Sequence, residues 1–294
     1  MDNVLVTIGI PVKNCEKTIG TTLDSIIRQD YPHNLIEIIV VDDGCKDGTI
    51  PIVIGKLEKT KIQARIFSTS GKGLGIARQT VVDNARGKYI VWVDADATMS
   101  RDYVSKQVDF MELHPRVGKA RGKWGWLKTG KVVGDLHYLS YVYQVEKGTE
   151  SKISGIGCSI CRIDAIRNAG GFDINIKGAG EDVDLAIRML ARGWEFSVID
   201  AIFYNTPETS WKGLLKHYMW YGYGGHYLRH KHGLKSFGLI YLPPLALAIS
   251  IKKTVAAFKF TREKISFFLP VFFLLGSFAW WIGFAKAHFE KYNP

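Results

Sequence analysis

Apolar and polar positions follow two different periods along the first third of the chain. Four short runs are almost wholly apolar or rich in residues that favour strands: 4–11, 35–41, 63–68 and 89–93. The segments between them place apolar residues at helical spacing, and the predicted helices are 18–29, a helix that begins near Thr49, and 76–85. The pattern therefore predicts strands that alternate with helices.

The run from Leu35 to Val41 indicates how these strands are packed. Its apolar character is continuous rather than alternating, so both of its faces must be covered. Parallel sheets between two layers of helices bury strands in this way. The sequence predicts an α/β fold with a mostly parallel, helix-covered sheet of the nucleotide-binding type. In such sheets, ligands bind beyond the carboxyl ends of the strands.

Two aspartates, Asp94 and Asp96, follow the fourth predicted strand directly. Because both carboxylates can reach one point beyond the strand, a hard divalent cation such as Mg²⁺ or Mn²⁺ would keep both ionised, with phosphate oxygens completing its shell. A solvated strand end that enters a turn is the alternative, since Asp is common in turns. This stretch by itself leaves both interpretations open.

Other polar residues follow the remaining strands. The first strand ends in Pro11 and Lys13, and the second ends in Asp43. A glycine-rich segment follows the third strand, where Lys72 and Arg78 could face a diphosphate, although an ordinary loop has the same composition. The dinucleotide fingerprint Gly-x-Gly-x-x-Gly is absent after the first strand, and the sequence has no P-loop motif. These absences argue against a dehydrogenase and a P-loop enzyme.

The formal net charge of +11 suits phosphate-bearing ligands, nucleic acid or an anionic membrane. No basic block is interleaved with aromatic residues as in single-strand binding surfaces, so nucleic acid is not an expected partner. Of the four cysteines, Cys158 and Cys161 form one close pair without a second pair at zinc-ligand spacing. We expect structural cysteines, and with no signal peptide at the N-terminus, a reducing compartment.

Four segments, in this order and spacing, resemble family 2 glycosyltransferases of the GT-A fold. They are Pro-Val-Lys-Asn, Val-Val-Asp-Asp-Gly-x-x-Asp-Gly-Thr, Gly-Lys-Gly-Leu-Gly-x-Ala-Arg and Tyr-Ile-Val-Trp-Val-Asp-Ala-Asp. The resemblance implies that Asp43 contacts the base of a nucleotide sugar, in a pocket lined by Pro11 and Lys13. It also implies that Asp94 faces the ribose or the sugar and that Asp96 binds the metal on the diphosphate.

The resemblance continues in the second half of the chain. A glycine-rich segment, Gly155 to Arg162, is followed by Gly-Gly-Phe-Asp, and Gly180-Glu181-Asp182 then opens a predicted helix. The resemblance implies that Asp182 is the general base for an acceptor hydroxyl and that Glu181 helps to shape the site. A phosphate acceptor would not need such a base, so the full Glu-Asp pair favours a hydroxyl acceptor.

Aromatic residues are dense from Trp211 to Tyr227. Processive relatives of this family carry Gln-x-x-Arg-Trp in this region, and the chain lacks it, which favours transfer of a single sugar. Trp220 and Tyr221 are the candidates for acceptor contact. Packing of the same aromatic residues against a membrane is the alternative, and the sequence leaves it open.

The end of the chain is expected to attach to a membrane. Residues 265–285 carry no charge and are long enough to cross a bilayer. The run 237–251 is shorter and contains two prolines, and the linker 252–264 is basic, which favours the cytoplasmic side. We therefore expect an interfacial segment at 237–251, a basic surface helix at 252–264 and one span at 265–285. A two-span hairpin is the alternative.

These observations predict a catalytic domain at residues 1–232 on the cytoplasmic side of the cell membrane and a membrane-associated region at 233–294. The predicted enzyme is metal-dependent and, by the resemblance, inverting. It transfers one sugar from a UDP- or GDP-linked donor to a hydroxyl of a membrane-held acceptor, such as a lipid-linked glycan or glycolipid. A polyprenyl-phosphate glycosyltransferase and a catalytically silent nucleotide-binding membrane scaffold are the two rival interpretations.

Overall fold

The computed structural model describes residues 4–125, 128–147, 155–234 and 238–294. The contacts between Cα atoms divide the chain into two units. Unit 1 comprises Met1–Gly125, Lys152–Ile174 and Glu181–Thr206, and unit 2 comprises Trp126–Ser151, Asn175–Gly180 and Pro207–Pro294. Each unit is therefore built from segments that are distant in sequence.

Unit 1 contains one eight-stranded sheet with the order β3-β2-β1-β4-β7-β6-β8-β5. Its strands are β1 (Val6–Val12), β2 (Ile36–Asp42), β3 (Gln63–Ser68), β4 (Tyr89–Trp92), β5 (Ala97–Met99), β6 (Val117–Trp124), β7 (Ser159–Arg162) and β8 (Glu195–Asn205). The pairs β1–β2, β1–β4, β2–β3 and β6–β8 are parallel. Strand β7 is antiparallel to β4 and β6, and β5 is antiparallel to β8.

The helices of unit 1 cover both faces of this sheet. They are α1 (Ile19–Ile27), α2 (Thr49–Leu57), α3 (Leu74–Asn84), α4 (Tyr103–Leu113), α6 (Ile163–Asn168) and α7 (Glu181–Ala191). Successive residues of β2 enter two different cores: Ile38 and Val40 belong to one, and Ile39 and Val41 to the other. The expectation of a mostly parallel, helix-covered α/β sheet of the GT-A type is confirmed.

The predicted elements of the first ninety residues differ from the structure mainly at their ends. Helix α3 begins at Leu74 rather than at Ile76, directly after Gly73, whose φ of +108° favours glycine. The patterns used above did not predict β5, β6 or β8. Strand β6 carries Lys119 and Arg121 within the sheet, so its apolar pattern is broken.

Unit 2 is helical and contains α5 (Val132–Lys147), α8 (Trp211–Lys231), α9 (Pro243–Thr261) and α10 (Leu269–Phe289). Helix α9 continues through the boundary that we predicted between an apolar segment and a basic helix at residues 251 and 252. The predicted apolar segment begins at Phe237, which lies outside the described residues. Within the described ranges, one helical stretch, Lys264–Phe289, is long and apolar enough to be a candidate membrane span.

Glycines bring α8 and α10 into close contact. A Cβ atom at Gly222 would overlap the carbonyl oxygen of Trp280, and one at Gly283 would overlap the carbonyl oxygen of Met219. At Gly276 it would lie 2.9 Å from the ring of Tyr218. The two backbones therefore approach more closely than any residue with a side chain would permit at these points.

We expect the substitution Gly222→Ala to lower the free energy of unfolding by about 1–3 kcal/mol, because the added methyl group must push the two helices apart. Gly55→Ala is the matched control on the exterior of α2, where nothing lies within 4 Å of the position that the added methyl group would take. It should raise the free energy of unfolding by about 0.5–1 kcal/mol. Thermal unfolding followed by circular dichroism compares the two, and equal effects would contradict the packing described here.

Candidate active site

Asp43 lies beyond the carboxyl end of β2 and is almost fully buried. One of its carboxylate oxygens, Oδ2, accepts from Lys13 Nζ at 3.0 Å. The other, Oδ1, accepts from Thr69 Oγ1 at 2.8 Å and from the backbone N–H of Gly73 at 2.9 Å. Burial raises the pKa of Asp43, but these hydrogen bonds outweigh it, so the net pKa is below the ordinary value. The carboxylate is held ionised.

The loops after β2 and β3 approach each other through glycines beside Asp43. Gly44 has a φ of +79°, and a Cβ there would lie 3.0 Å from the backbone nitrogen of Gly71. Lys72 follows Gly71 and is exposed. Pro11 pairs with Val41 in the sheet register. The structure therefore places Pro11, Lys13, Asp43 and Lys72 at the same edge of the sheet.

Arg78 is the centre of a second cluster of charges. It lies on α3, and its side chain is only 6% exposed. Its Nη1 donates to Glu181 Oε1 and lies 3.7 Å from Asp182 Oδ2, while Nη2 lies 3.5 Å from Asp94 Oδ1. Burial lowers the pKa of Arg78, but the three carboxylates raise it by more. The guanidinium is directed at these acids, a different setting from the diphosphate contact that the sequence suggested.

The three carboxylates around Arg78 differ in exposure. The side chain of Glu181 is 2% exposed, whereas those of Asp182 and Asp94 are 18% and 38% exposed. Gly75 on α3 lies beside this pair, and a Cβ there would lie 3.0 Å from the backbone oxygen of Asp173 and in ordinary contact with the Cβ of Glu181. The buried Arg78–Glu181 pair therefore has a structural position, closed to solvent. Asp94 and Asp182, in contrast, are accessible to a ligand.

The glycine-rich segment before β7 passes directly beside these two accessible acids. A Cβ at Gly157 would overlap the carboxylate of Asp94, and one at Gly155 would lie 3.0 Å from Asp182 Oδ2. Between them, the backbone N–H of Ile156 donates to Asp182 Oδ2 at 3.2 Å. The other oxygen, Asp182 Oδ1, accepts from the N–H of Val183 at 2.8 Å. Both oxygens of Asp182 are thereby oriented.

The negative charge of Asp96 is less well compensated by its surroundings than that of Asp43. Burial raises the pKa of Asp96 to about 6, and the charge of Asp94 adds to the shift. Within the described ranges, no group of three or more His, Cys, Asp or Glu side chains is arranged to enclose a metal ion. Mg²⁺ commonly binds one or two carboxylates and completes its shell with phosphates and waters. Two carboxylates such as Asp94 and Asp96 do not form a complete protein cage, and a metal ion held by them would need phosphate or water ligands.

The sequence patterns missed two residues of this region. Thr69 supports Asp43, but a lone Thr after a strand carries no recognisable signal. Arg121 on β6 stacks over Phe203, with 5.2 Å from its guanidinium carbon to the ring centroid, and its buried Nε has no hydrogen-bond partner within the described residues. The charge of Arg121 within an unpredicted strand was the only available signal.

The cysteines and the aromatic candidates lie in different settings. Cys158 and Cys161 are fully buried and free, and burial raises the pKa of Cys161 to about 12. This environment agrees with a structural role.

The aromatic candidates Trp220 and Tyr221 lie on α8 in unit 2, and each is more than a third exposed. The ring centroids of His217 and Tyr221 are 4.4 Å apart.

The α/β sheet carries acidic residues at its carboxyl edge, where ligands bind in open α/β sheets. The sequence matches the family model "Glycosyl transferase family 2" over residues 7–167 and the model "Glycosyl transferase family group 2" over residues 89–285. The chain belongs to glycosyl transferase family 2. The prediction of this family, and with it of the glycosyltransferase class of enzyme, is confirmed.

Individual relatives match parts of the chain. An uncharacterized glycosyltransferase of Haemophilus influenzae is 32% identical over 38% of this chain and 44% of its own length. The UDP-Glc:alpha-D-GlcNAc-diphosphoundecaprenol beta-1,3-glucosyltransferase WfaP of Escherichia coli is 37% identical over 37% of this chain and 41% of its own length. The chain thus spans less than half of the length of these relatives.

The fold also matches solved structures. The mannosyltransferase PcManGT of Pyrobaculum calidifontis, whose structure contains GDP-Man and Mn²⁺, superposes with a TM-score of 0.70 at 19% identity. The match covers 97% of this chain and 87% of that protein. At this level of identity the similarity establishes the shared fold.

We expect Arg78→Lys to lower the free energy of unfolding by about 1–3 kcal/mol, because one ammonium group cannot replace the forked contacts to several carboxylates. The affinity for UDP and GDP, measured by calorimetry, should change less than about threefold. Lys72→Met is the comparison. Its free energy of unfolding should stay unchanged, because removal of this exposed lysine leaves no buried acid unpaired. A loss of nucleotide affinity in Arg78→Lys at unchanged stability would show that Arg78 holds the diphosphate instead.

Proposed function

We propose that this protein transfers a single sugar from a nucleoside-diphosphate sugar to a hydroxyl group of a membrane-held acceptor, with the aid of a divalent metal ion. The observation that carries the proposal is the cluster in which Asp94 and Asp182, both accessible, are oriented around buried Arg78 and Glu181. Membership of glycosyl transferase family 2 supports the same chemistry.

The donor base is assigned to the pocket at Asp43. A carboxylate offers about four acceptor positions, and Lys13, Thr69 and Gly73 occupy three of them. The remaining position can accept an N–H of uracil or guanine, so Asp43 suits both UDP- and GDP-linked donors. Pro11 lines the same pocket, and exposed Lys72 is available to the diphosphate.

The metal ion is assigned to Asp96 and Asp94. Bound there, Mg²⁺ or Mn²⁺ would offset the negative charge of the departing nucleoside diphosphate. The raised pKa of Asp96 supports this assignment, since it marks an acid without sufficient compensation from the protein itself. The Mn²⁺ in the structure of PcManGT is a further support from a protein of the same fold.

Asp182 is assigned as the general base. An alcohol is a weak nucleophile near neutral pH, and a positioned base contributes a factor of ~10²–10⁴ to the rate. The N–H groups of Ile156 and Val183 orient the carboxylate. The acceptor oxygen attacks the anomeric carbon as its proton passes to Asp182. Attack opposite the diphosphate would convert an α-linked donor sugar into a β-linkage.

The acceptor is assigned to the membrane on two grounds. Helix α10 belongs to the candidate span Lys264–Phe289, and the name of the relative WfaP specifies an acceptor on diphosphoundecaprenol. A lipid-linked glycan or glycolipid at the cell membrane, with unit 1 on the cytoplasmic side, is consistent with both. The exposed rings of Trp220 and Tyr221 are candidates for contact with acceptor sugars.

The purified protein, incubated with labelled UDP- and GDP-sugars and a total lipid extract, should produce a labelled glycolipid identifiable by mass. The variant Asp182→Asn should reduce transfer at least ~10²-fold, because the amide cannot accept the proton, while nucleotide affinity stays within about threefold. Asp164→Asn, at an exposed aspartate on α6, is the matched control and should be unaffected. Full turnover in Asp182→Asn, or a labelled product whose mass is that of a single sugar on a lipid phosphate, would refute the assignment.

Chelation of divalent ions should abolish transfer, and added Mn²⁺ or Mg²⁺ should restore it. In the variant Asp96→Ala, the added metal should no longer restore transfer, because one of the two protein carboxylates is missing. Binding of Mn²⁺ in the presence of UDP, measured by electron paramagnetic resonance, reports the same loss without relying on activity. Wild-type binding of Mn²⁺ by this variant would move the metal site elsewhere.

A further inference from the structure

Most of the large apolar side chains that are exposed in the described residues lie in unit 2, between positions 239 and 289. On α10 they repeat at intervals of three and four residues, so they form one continuous stripe along the helix. The stripe consists of Phe268, directly before the helix, and of Val271, Leu275, Phe278 and Ile282 on it, with Phe289 seven residues farther on; each is between 38% and 82% exposed. No polar residue interrupts it from Phe268 to Ile282.

The opposite side of α10 packs against α8. Contacts follow in the same order along both helices, from Gly276 beside Tyr218 to Trp280 beside Gly222. Farther on, His226 Nε2 lies 3.3 Å from His288 Nδ1. The two helices therefore run side by side in the same direction. A bilayer that α10 crossed would also enclose the part of α8 beside it.

Helix α8 is not suited to the hydrocarbon core of a bilayer. Its uncharged stretch lies between Lys216 and Arg229, and residues 217–228 rise about 18 Å. The hydrocarbon core is about 30 Å thick. If α10 crossed the bilayer, α8 would carry charged side chains into hydrocarbon, which is unfavourable. Helix α10 is itself apolar on all sides, so the charged ends of α8 beside it are what favour an interfacial position for the pair.

The C-terminal region that carries this apolar stripe is also rich in exposed positive charge. Exposed basic residues of the C-terminal region are Lys252, Lys259, Arg262, Lys264, Lys286 and Lys291. The acids of residues 238–294 are Glu263, which pairs with Lys128, and Glu290, which lies near Lys286 and accepts from Tyr223. Anionic lipid headgroups complement such a surface. A second copy of the chain would bring like charges together.

We propose that unit 2 docks onto one leaflet of an anionic bilayer through the exposed stripe of α10, with this helix parallel to the membrane plane rather than across it. The inference concerns attachment alone, and its test does not depend on the donor, the acceptor or the transfer reaction. It replaces both the single-span and the hairpin topology considered for the sequence.

Depth measurements along α10 test its orientation. The variants Leu275→Cys, Ile282→Cys and Phe289→Cys, each with Cys15 and Cys45 changed to Ser, would carry one environment-sensitive fluorophore. Vesicles of equal parts phosphatidylcholine and phosphatidylglycerol would contain lipid quenchers at defined depths. We expect one common depth for the three positions. A spanning helix would instead spread them over about 20 Å, and that gradient would overturn the proposal.

Charge placed on the stripe tests which surface binds. The double variant Phe278→Glu, Ile282→Glu should weaken binding of the full chain to these vesicles at least ~10-fold. Leu113→Glu is the matched control, at an apolar residue on α4 that is 77% exposed, and it should bind as the wild type does. An unchanged circular dichroism spectrum and an unchanged thermal unfolding midpoint verify folding. Vesicle binding by the double variant at the wild-type level would contradict lipid docking. So would a dimer that the wild-type chain forms in solution and the double variant does not.

Discussion

The arrangement of the candidate site depends on the ion pairs of one buried group, the guanidinium of Arg78. It connects α3, the end of β4 and the start of α7 through Glu181, Asp94 and Asp182. Isolated carboxylates in a low-dielectric interior cost several kcal/mol each, on the order of the whole stability of a domain, unless a charge compensates them. Arginine suits this position because its planar fork can address several acids at once.

The acids of unit 1 differ because their surroundings differ. Hydrogen bonds from Lys13 and from two further groups lower the pKa of Asp43, while burial raises that of Asp96 to about 6. Asp182 has both oxygens oriented by backbone N–H groups and keeps an accessible surface. In the function proposed above, Asp43 is assigned to the donor base, Asp96 to a cation and Asp182 to the acceptor proton.

The apolar helix α10 of unit 2 has a packed side and an open side. Small residues on one side of α10 let the backbone of α8 approach it, and this contact needs glycine at Gly222 and Gly283. Large residues on the other side remain open. A helix that is apolar on all sides is usually buried on all sides or surrounded by lipid. The charged residues of α8, which runs beside α10, are what favour attachment to one leaflet over a membrane crossing.

The sequence by itself determined the first four strands, the helices between them and the family. Buried parallel strands are continuous apolar runs, and the acids that follow them, Asp43, Asp94 and Asp96, are visible as motifs because the chemistry lies at strand ends. Local patterns could not show that Arg78 faces Glu181, because 103 residues separate them. Nor could they show why Gly155 and Gly157 are glycines, or that α10 has a packed side and an open side. Those features depend on which distant segments meet, and only the tertiary structure decided them.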